Sequence, residues 1–173
     1  MNQFILILNG PMLGGKSWTI DSIMKQYKQV FRLSPNKIKF LISDYTPDRD
    51  RTVVHESVML IAEKMLTHGM SLILEGGSVM QGKLNDTLKE LAQKHGLKVT
   101  IVNLEAPFPV LKKRFDDRVF TSIGRGTKLS VTDEAGLLER YNAYLAIKDE
   151  AIQTFDSSTK SPAEIAKEIM ALV

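Results

Sequence analysis

The sequence predicts an α/β protein, a parallel β-sheet covered by helices on both faces. Three observations carry that expectation. Short apolar or β-branched runs alternate with longer stretches of helical periodicity along the whole chain. The first apolar run, Phe4 to Leu8, leads into a glycine-rich turn and then into a helix-compatible stretch. The length, 173 residues at 43% hydrophobic content, suits a single domain, 1–173, with a full core of its own.

The elements follow in order. Residues 17–30 read as a helix with Ile20, Ile23, Met24 and Tyr27 on one stripe. Residues 37–43 (Lys-Ile-Lys-Phe-Leu-Ile-Ser) read as strand two, and 44–51, polar and holding Pro47, as a loop. A helix over 52–67 turns Val54, Val58, Ile61, Ala62 and Met65 inward and stops at His68-Gly69. Strand three is 70–74, closing on Glu75-Gly76-Gly77. A helix over 83–94 is stopped by His95-Gly96. Strand four is 98–104, rich in β-branched residues. Pro107 or Pro109 opens a helix that runs to about Arg118. Residues 120–129 are basic and contain glycine. Asp133 caps a helix over 134–149. A short last strand over 151–155 precedes a final helix that Ser161-Pro162 begins and that ends near Leu172.

Composition removes several classes. The absence of cysteine excludes disulfides, cysteine nucleophiles and thiolate metal sites. The N-terminal apolar run is too short for a signal core, and no 18-residue apolar span follows, so a cytoplasmic protein away from the membrane is the expectation. A net charge of +3, from 23 basic and 20 acidic side chains, is too mild to argue nucleic-acid binding by itself. It allows a local basic pocket. His55, His68 and His95 have no metal-ligand spacing and read as structural, and Trp18 reads as packing.

The glycine-rich turn, Gly10-Pro11-Met12-Leu13-Gly14-Gly15-Lys16-Ser17, matches Gly-x-x-x-x-Gly-Lys-Ser, the Walker A pattern, in the strand–loop–helix context that the motif requires. Glycines let successive backbone N–H groups converge on a polyphosphate. The helix N-terminus adds its partial positive charge. Lys16 then reaches the β- and γ-phosphates, and the Ser17 hydroxyl is a ligand for Mg²⁺. The expected cofactors are ATP, or another nucleoside triphosphate, and Mg²⁺, with residues 10–18 forming the nucleotide site. Ligands in parallel sheets bind beyond the C-terminal strand ends. That rule gathers the loop, Asp44, Glu75 and Glu105 toward one edge.

These pieces, with Leu41-Ile42-Ser43-Asp44, Ile73-Leu74-Glu75-Gly76-Gly77, Leu104-Glu105-Ala106-Pro107, Leu111-x-x-Arg114-x-x-x-Arg118, Phe155-Asp156-Ser157-Ser158 and Ser161-Pro162-Ala163-Glu164, resemble the small P-loop kinases of the nucleoside- and nucleotide-kinase-like group. The nearest likeness is to the polynucleotide-kinase and zeta-toxin-like branch. The resemblance implies a three-layer α/β/α P-loop NTPase with a five-stranded parallel sheet of order 2-3-1-4-5, a mobile helical lid near 119–131, and phosphoryl transfer from a nucleoside triphosphate.

It also implies roles. Asp44 stands where a carboxylate after strand two accepts the acceptor's proton, with Asp48 and Asp50 as neighbours able to replace it. Polynucleotide kinases carry Asp-x-x-Arg there. This chain reads Asp44-Tyr45-Thr46-Pro47, so Arg49 or Arg51 would have to supply the guanidinium. Glu75, ending strand three, is a candidate for Mg²⁺ or acceptor binding, with Gly76 allowing close approach. Arg118 and Arg125 would neutralise transferring charge from the lid, and Arg114 shares a helix face with Arg118. Residues 157–161 are where related kinases meet adenine. The favoured acceptor is a polynucleotide 5′-hydroxyl. The alternatives are a nucleoside, nucleotide or other small hydroxyl compound, and a non-catalytic ATP-sensing module. The sequence leaves the oligomeric state open.

Overall fold

A computed structural model describes residues 2–76, 81–125, 131–146, 148 and 151–173. Five parallel strands form one sheet: β1 (Ile5–Asn9), β2 (Val30–Leu33), β3 (Ser71–Glu75), β4 (Val99–Glu105) and β5 (Gln153–Asp156). Their order is β2-β3-β1-β4-β5, so the expected 2-3-1-4-5 arrangement is present. β1 is central. It pairs Ile7 with Leu74 on one side and with Ile101 on the other. All five of its residues are buried, as both-face coverage of a parallel sheet requires.

Helices α1 (Lys16–Gln26) and α7 (Pro162–Met170) cover one face. Their Ile20, Ile23, Ile165 and Ile169 pack on Leu6, Leu8, Ile73, Val102 and Leu104. Helices α3 (Pro47–Thr67) and α4 (Gln81–Lys94) cover the other, with Val54, Val58, Ala62, Leu84 and Leu88 on Ile5, Ile7, Leu72 and Leu74. Alternate residues of β1 thus feed two separate cores, the period-two signature of a strand. A third cluster joins α5 (Phe108–Arg125) to α6 (Glu134–Leu145) through Phe115, Val131 and Leu137. The Asp133 cap and the helix start at Ser161-Pro162 expected from sequence are in place. Asp133 accepts from the Gly136 N–H, and Ser161 and Glu164 form a reciprocal capping box at α7.

The first helix and strand two differ from expectation. Helix α1 stops at Gln26, because Tyr27 is already extended and Gln29 adopts a left-handed φ of 59°. Val30–Leu33 then supplies β2, pairing Val30 with Ser71 and Leu33 with Leu74. The segment 37–43 is no strand. Pro35 sets the first turn of a short helix, α2 (Pro35–Lys39), and 40–43 form turns. The strand slot beside β3 was filled by the earlier apolar run. Helix α3 begins at Pro47, earlier than expected, and Met24 is 40% exposed rather than inward. Helix α5 extends past Arg118 to Arg125, so the first half of the expected lid segment is helical, while residues 126–130 lie outside the described residues. Gly77 and the end of the helix expected to reach 149 also fall outside them. No helix among the described residues is long and apolar enough to cross a membrane.

Candidate active site

The loop between β1 and α1 lies at the C-terminal edge of the sheet, with Glu75 ending β3 on one side and Glu105 ending β4 on the other. Its backbone shape needs glycine. Gly10 has φ +151°, and a Cβ there would collide with the Leu104 carbonyl oxygen. Gly15, the N-cap of α1, has φ 89°. Leu13 also takes a positive φ, 66°. The side chains of Met12 and Leu13 pack against the α5–α6 cluster, which fastens the outer wall of the loop.

Lys16 folds over its own loop. Its ammonium donates to the Gly10 carbonyl at 2.7 Å and the Pro11 carbonyl at 2.6 Å. Loss of hydration on burial pushes its pKa down to about 8, against the pull of the Glu75 carboxylate. The Ser17 hydroxyl donates to Glu75 Oε1 at 2.6 Å. Burial opposes ionisation of Glu75. Hydrogen bonds from Ser17 and Arg32, with the charges of Arg32 and Lys16, prevail and hold its carboxyl below the usual glutamate value.

This hydroxyl–carboxylate pair at a helix N-terminus suits Mg²⁺, a hard cation that takes one or two protein oxygens and completes its shell with water and phosphate. No group of three or more acidic, histidine or cysteine side chains among the described residues makes a dedicated metal cage. The Ser17–Glu75 pair is the set that could hold the ion beside a polyphosphate.

Arg114 was expected only as a face-mate of Arg118. It donates to the Leu13 carbonyl at 3.0 Å, to Ser157 Oγ at 3.0 Å and to the Ser157 carbonyl at 2.7 Å. It therefore ties the phosphate loop to the β5–α7 turn. Arg118 is exposed one turn further along α5, and Arg125 ends that helix. Trp18 does not pack: it is 72% exposed at the N-terminal turn of α1, next to Ser17.

Asp44 does not directly follow a strand, since α2 and a turn separate it from β2. Its side chain is exposed, its φ is 52°, and its carbonyl accepts from Arg49 Nη2 at 2.6 Å. Arg49 also donates to both oxygens of buried Asp50, at 2.7 and 2.8 Å, while Asp50 accepts the Thr46 N–H at 2.8 Å. Arg49 and Asp50 thus brace the start of α3. Arg51 and Asp48 are exposed on that helix, and Gly76 donates to the Leu8 carbonyl at 2.9 Å. His68 Nδ1 meets the Lys64 carbonyl at 2.9 Å, consistent with a helix-end role.

Three participants escaped the sequence reading. Arg32 binds Glu75. Tyr144, buried on α6, donates its hydroxyl to Glu105 Oε1 and ties α6 to the end of β4. Lys39, ending α2, lies 5.0 Å from the Tyr45 ring centroid; burial and then the charge of Arg140 on α6 lower its pKa. Arg32 became visible only once β2 was placed at Val30–Leu33.

No protein-family model matches the sequence, and no curated protein matches it either. Solved structures do match in shape. Shikimate kinase from Acinetobacter baumannii in complex with shikimate superposes with TM-score 0.61 at 18% identity, over 98% of this chain and 92% of that one. Mycobacterium tuberculosis APS kinase in complex with AMPPNP and APS gives 0.64 at 10% identity, over 99% and 97%. A chain of the Pnkp1/Rnl/Hen1 RNA repair complex gives 0.67 at 14% identity, over 87% of this chain but only 47% of that one. With its sheet order, its glycine loop and these neighbours, the chain has the three-layer α/β/α fold of the P-loop NTPases, in the form that small kinases share.

Proposed function

We propose that this protein is a Mg²⁺- and nucleoside-triphosphate-dependent kinase that transfers a γ-phosphoryl group to an acceptor hydroxyl. One observation carries the reading: Lys16, Ser17 and Glu75 converge at the N-terminus of α1 under a loop whose glycines cannot be replaced without collision or strain. The loop N–H groups and the helix end bind the phosphates. Lys16 exchanges two carbonyl partners for phosphate oxygens and meets the charge that grows in the transition state. Mg²⁺, when bound by Ser17 with Glu75, supplies Lewis-acid neutralisation of the phosphate oxygens. The acceptor oxygen forms a bond to the γ-phosphorus as the bond to the β–γ bridging oxygen breaks. The acceptor's proton goes to Asp44, and nucleoside diphosphate leaves. Arg118 and Arg125 add positive charge from α5.

The acceptor has two readings. A polynucleotide 5′-hydroxyl is supported by the motif likeness and by the fold shared with a chain of the RNA repair complex. A small hydroxyl compound is supported by Arg49, whose guanidinium, though exposed, is already engaged by Asp50 and the Asp44 carbonyl. Transfer of γ-label from ATP to a panel of 5′-hydroxyl oligonucleotides, nucleosides, nucleoside monophosphates and small polyols separates them. Label on oligonucleotide ends supports the first, and label on a small acceptor alone supports the second. ATP binding with no transfer to any acceptor would leave a sensing module instead.

A further inference from the structure

The carboxylate of Glu75 is divided between two partners. Its Oε1 accepts from Ser17 at 2.6 Å. Its Oε2 takes two bonds from one guanidinium, Arg32 Nη2 at 2.7 Å and Nε at 3.1 Å. The third arm, Arg32 Nη1, reaches Asp21 Oδ1 on α1 at 2.9 Å. The Arg32 and Glu75 side chains are only 13% and 15% exposed, so water screens this pair little. Arg32 thus joins the edge strand β2, the end of β3 and the second turn of α1 with a planar fork that no other cation can reproduce.

A consequence follows for the other cation in the site. Glu75 lies within electrostatic reach of Lys16. A carboxylate with a free second oxygen beside a half-buried ammonium turns toward it and pairs, since both charges are poorly hydrated there. Such a pair would take Lys16 from the phosphates and the carboxylate from the metal. Oε2 is not free, because the Arg32 fork holds it. Oε1 is left aimed at the Ser17 hydroxyl.

We propose that Arg32 is a positioning residue for the metal–nucleotide site: it occupies Glu75 Oε2, which keeps Oε1 facing Ser17 for Mg²⁺ and keeps Lys16 unpaired for the phosphates. The inference rests on the kinase reading of the Ser17–Glu75 pair, and it adds a residue from the edge strand that no motif marks.

Calorimetric titration with ATP, in chelator and in saturating Mg²⁺, tests it without reference to turnover. The quantity read is the gain in ATP affinity that Mg²⁺ produces. Wild type shows a gain, and Ser17→Ala loses it. Arg32→Met loses about 10–100-fold of Mg²⁺ affinity, the usual cost of removing a partner behind a metal-facing ligand. Arg32→Lys keeps the charge but cannot fill Oε2 twice while reaching Asp21, so it recovers only part. If Arg32→Met melts well below wild type, Asp21→Ala carries the test. It frees one arm of the fork from an exposed partner, and a smaller loss in the same direction is expected.

Full Mg²⁺ gain in Arg32→Met, or in Asp21→Ala if that variant carries the test, with loss in Ser17→Ala, overturns the role of Arg32 and leaves the metal site standing. Full gain in Arg32→Lys shows that charge alone suffices and overturns the positioning role. Full gain in Ser17→Ala, or no ATP binding by wild type, removes the metal–nucleotide reading and the inference with it.

Discussion

The Lys16 ammonium donates to the carbonyl of Gly10, 2.7 Å away within its own loop. The loop therefore supplies its own counter-dipoles to the cation that a polyphosphate would bind. Burial sets the Lys16 pKa at about 8 in this state.

That value predicts a pH signature. A lysine lowered from 10.5 to about 8 leaves the unfolded chain holding more protons than the native one between those values. Stability of the ligand-free protein therefore rises with pH across about 8 to 10.5. Polyphosphate reverses the preference, because its negative charge favours the ammonium. ATP binding should take up a proton above pH 8, and affinity should weaken there by up to roughly tenfold per pH unit. Calorimetry in buffers of differing ionisation enthalpy measures the uptake. Uptake that persists in Lys16→Ala would assign it to another group.

Asp44 and Asp50 should separate cleanly. Asp44 offers the structure only its carbonyl, and Asp50 braces α3 through Thr46 and Arg49. Asp44→Asn is expected to lower transfer by ~10²–10⁴, the range for a general base, with unchanged melting and ATP binding. Asp50→Asn is expected to lower the melting temperature. Normal transfer in Asp44→Asn, with transfer lost in a normally melting Asp50→Asn, would move the base to Asp50.

Arg114 is expected to act on structure and nucleotide together. Arg114→Ala leaves the Leu13 and Ser157 carbonyls without their donor, at a cost of about 1–3 kcal/mol. Because it joins the loop to the β5–α7 turn, ATP affinity should fall with stability. Denaturant melts beside ATP titrations check this, and a stability loss with wild-type affinity would confine Arg114 to the scaffold.

Trp18 is the chain's one tryptophan, exposed beside Ser17. Its emission should respond to ATP binding, and Trp18→Phe should abolish the signal. No change at saturating ATP would place the nucleotide away from the first turn of α1.

Much of this was legible in the sequence. The glycine loop, its flanking strand and helix, the cap at Asp133 and the helix start at Ser161-Pro162 follow from local chemistry that tertiary contacts did not override, while the sheet order came from the family resemblance. Strand two is the exception, because Lys37 to Ser43, polar at first and then apolar, has the composition of a strand entering a core. The deciding facts, a left-handed Gln29 and parallel pairing of Val30–Leu33 with β3, are a backbone turn and a long-range contact. The same error hid Arg32, since a residue read as lying beyond a long first helix has no evident route to Glu75. Arg49 looked available for an acceptor because its partner Asp50 is adjacent in sequence, and side-chain direction decides whether neighbours bond.

The central claim is phosphoryl transfer at the Lys16 loop. Its most direct test is movement of label from γ-labelled ATP, with Mg²⁺, onto the hydroxyl acceptors of the panel by wild type and Lys16→Ala. Label is expected on an acceptor hydroxyl, reduced ~10²–10³-fold in the variant, the cost of losing one electrostatic stabiliser of the transition state. Equal transfer by Lys16→Ala, or ATP binding by wild type with no transfer to any acceptor, would contradict it.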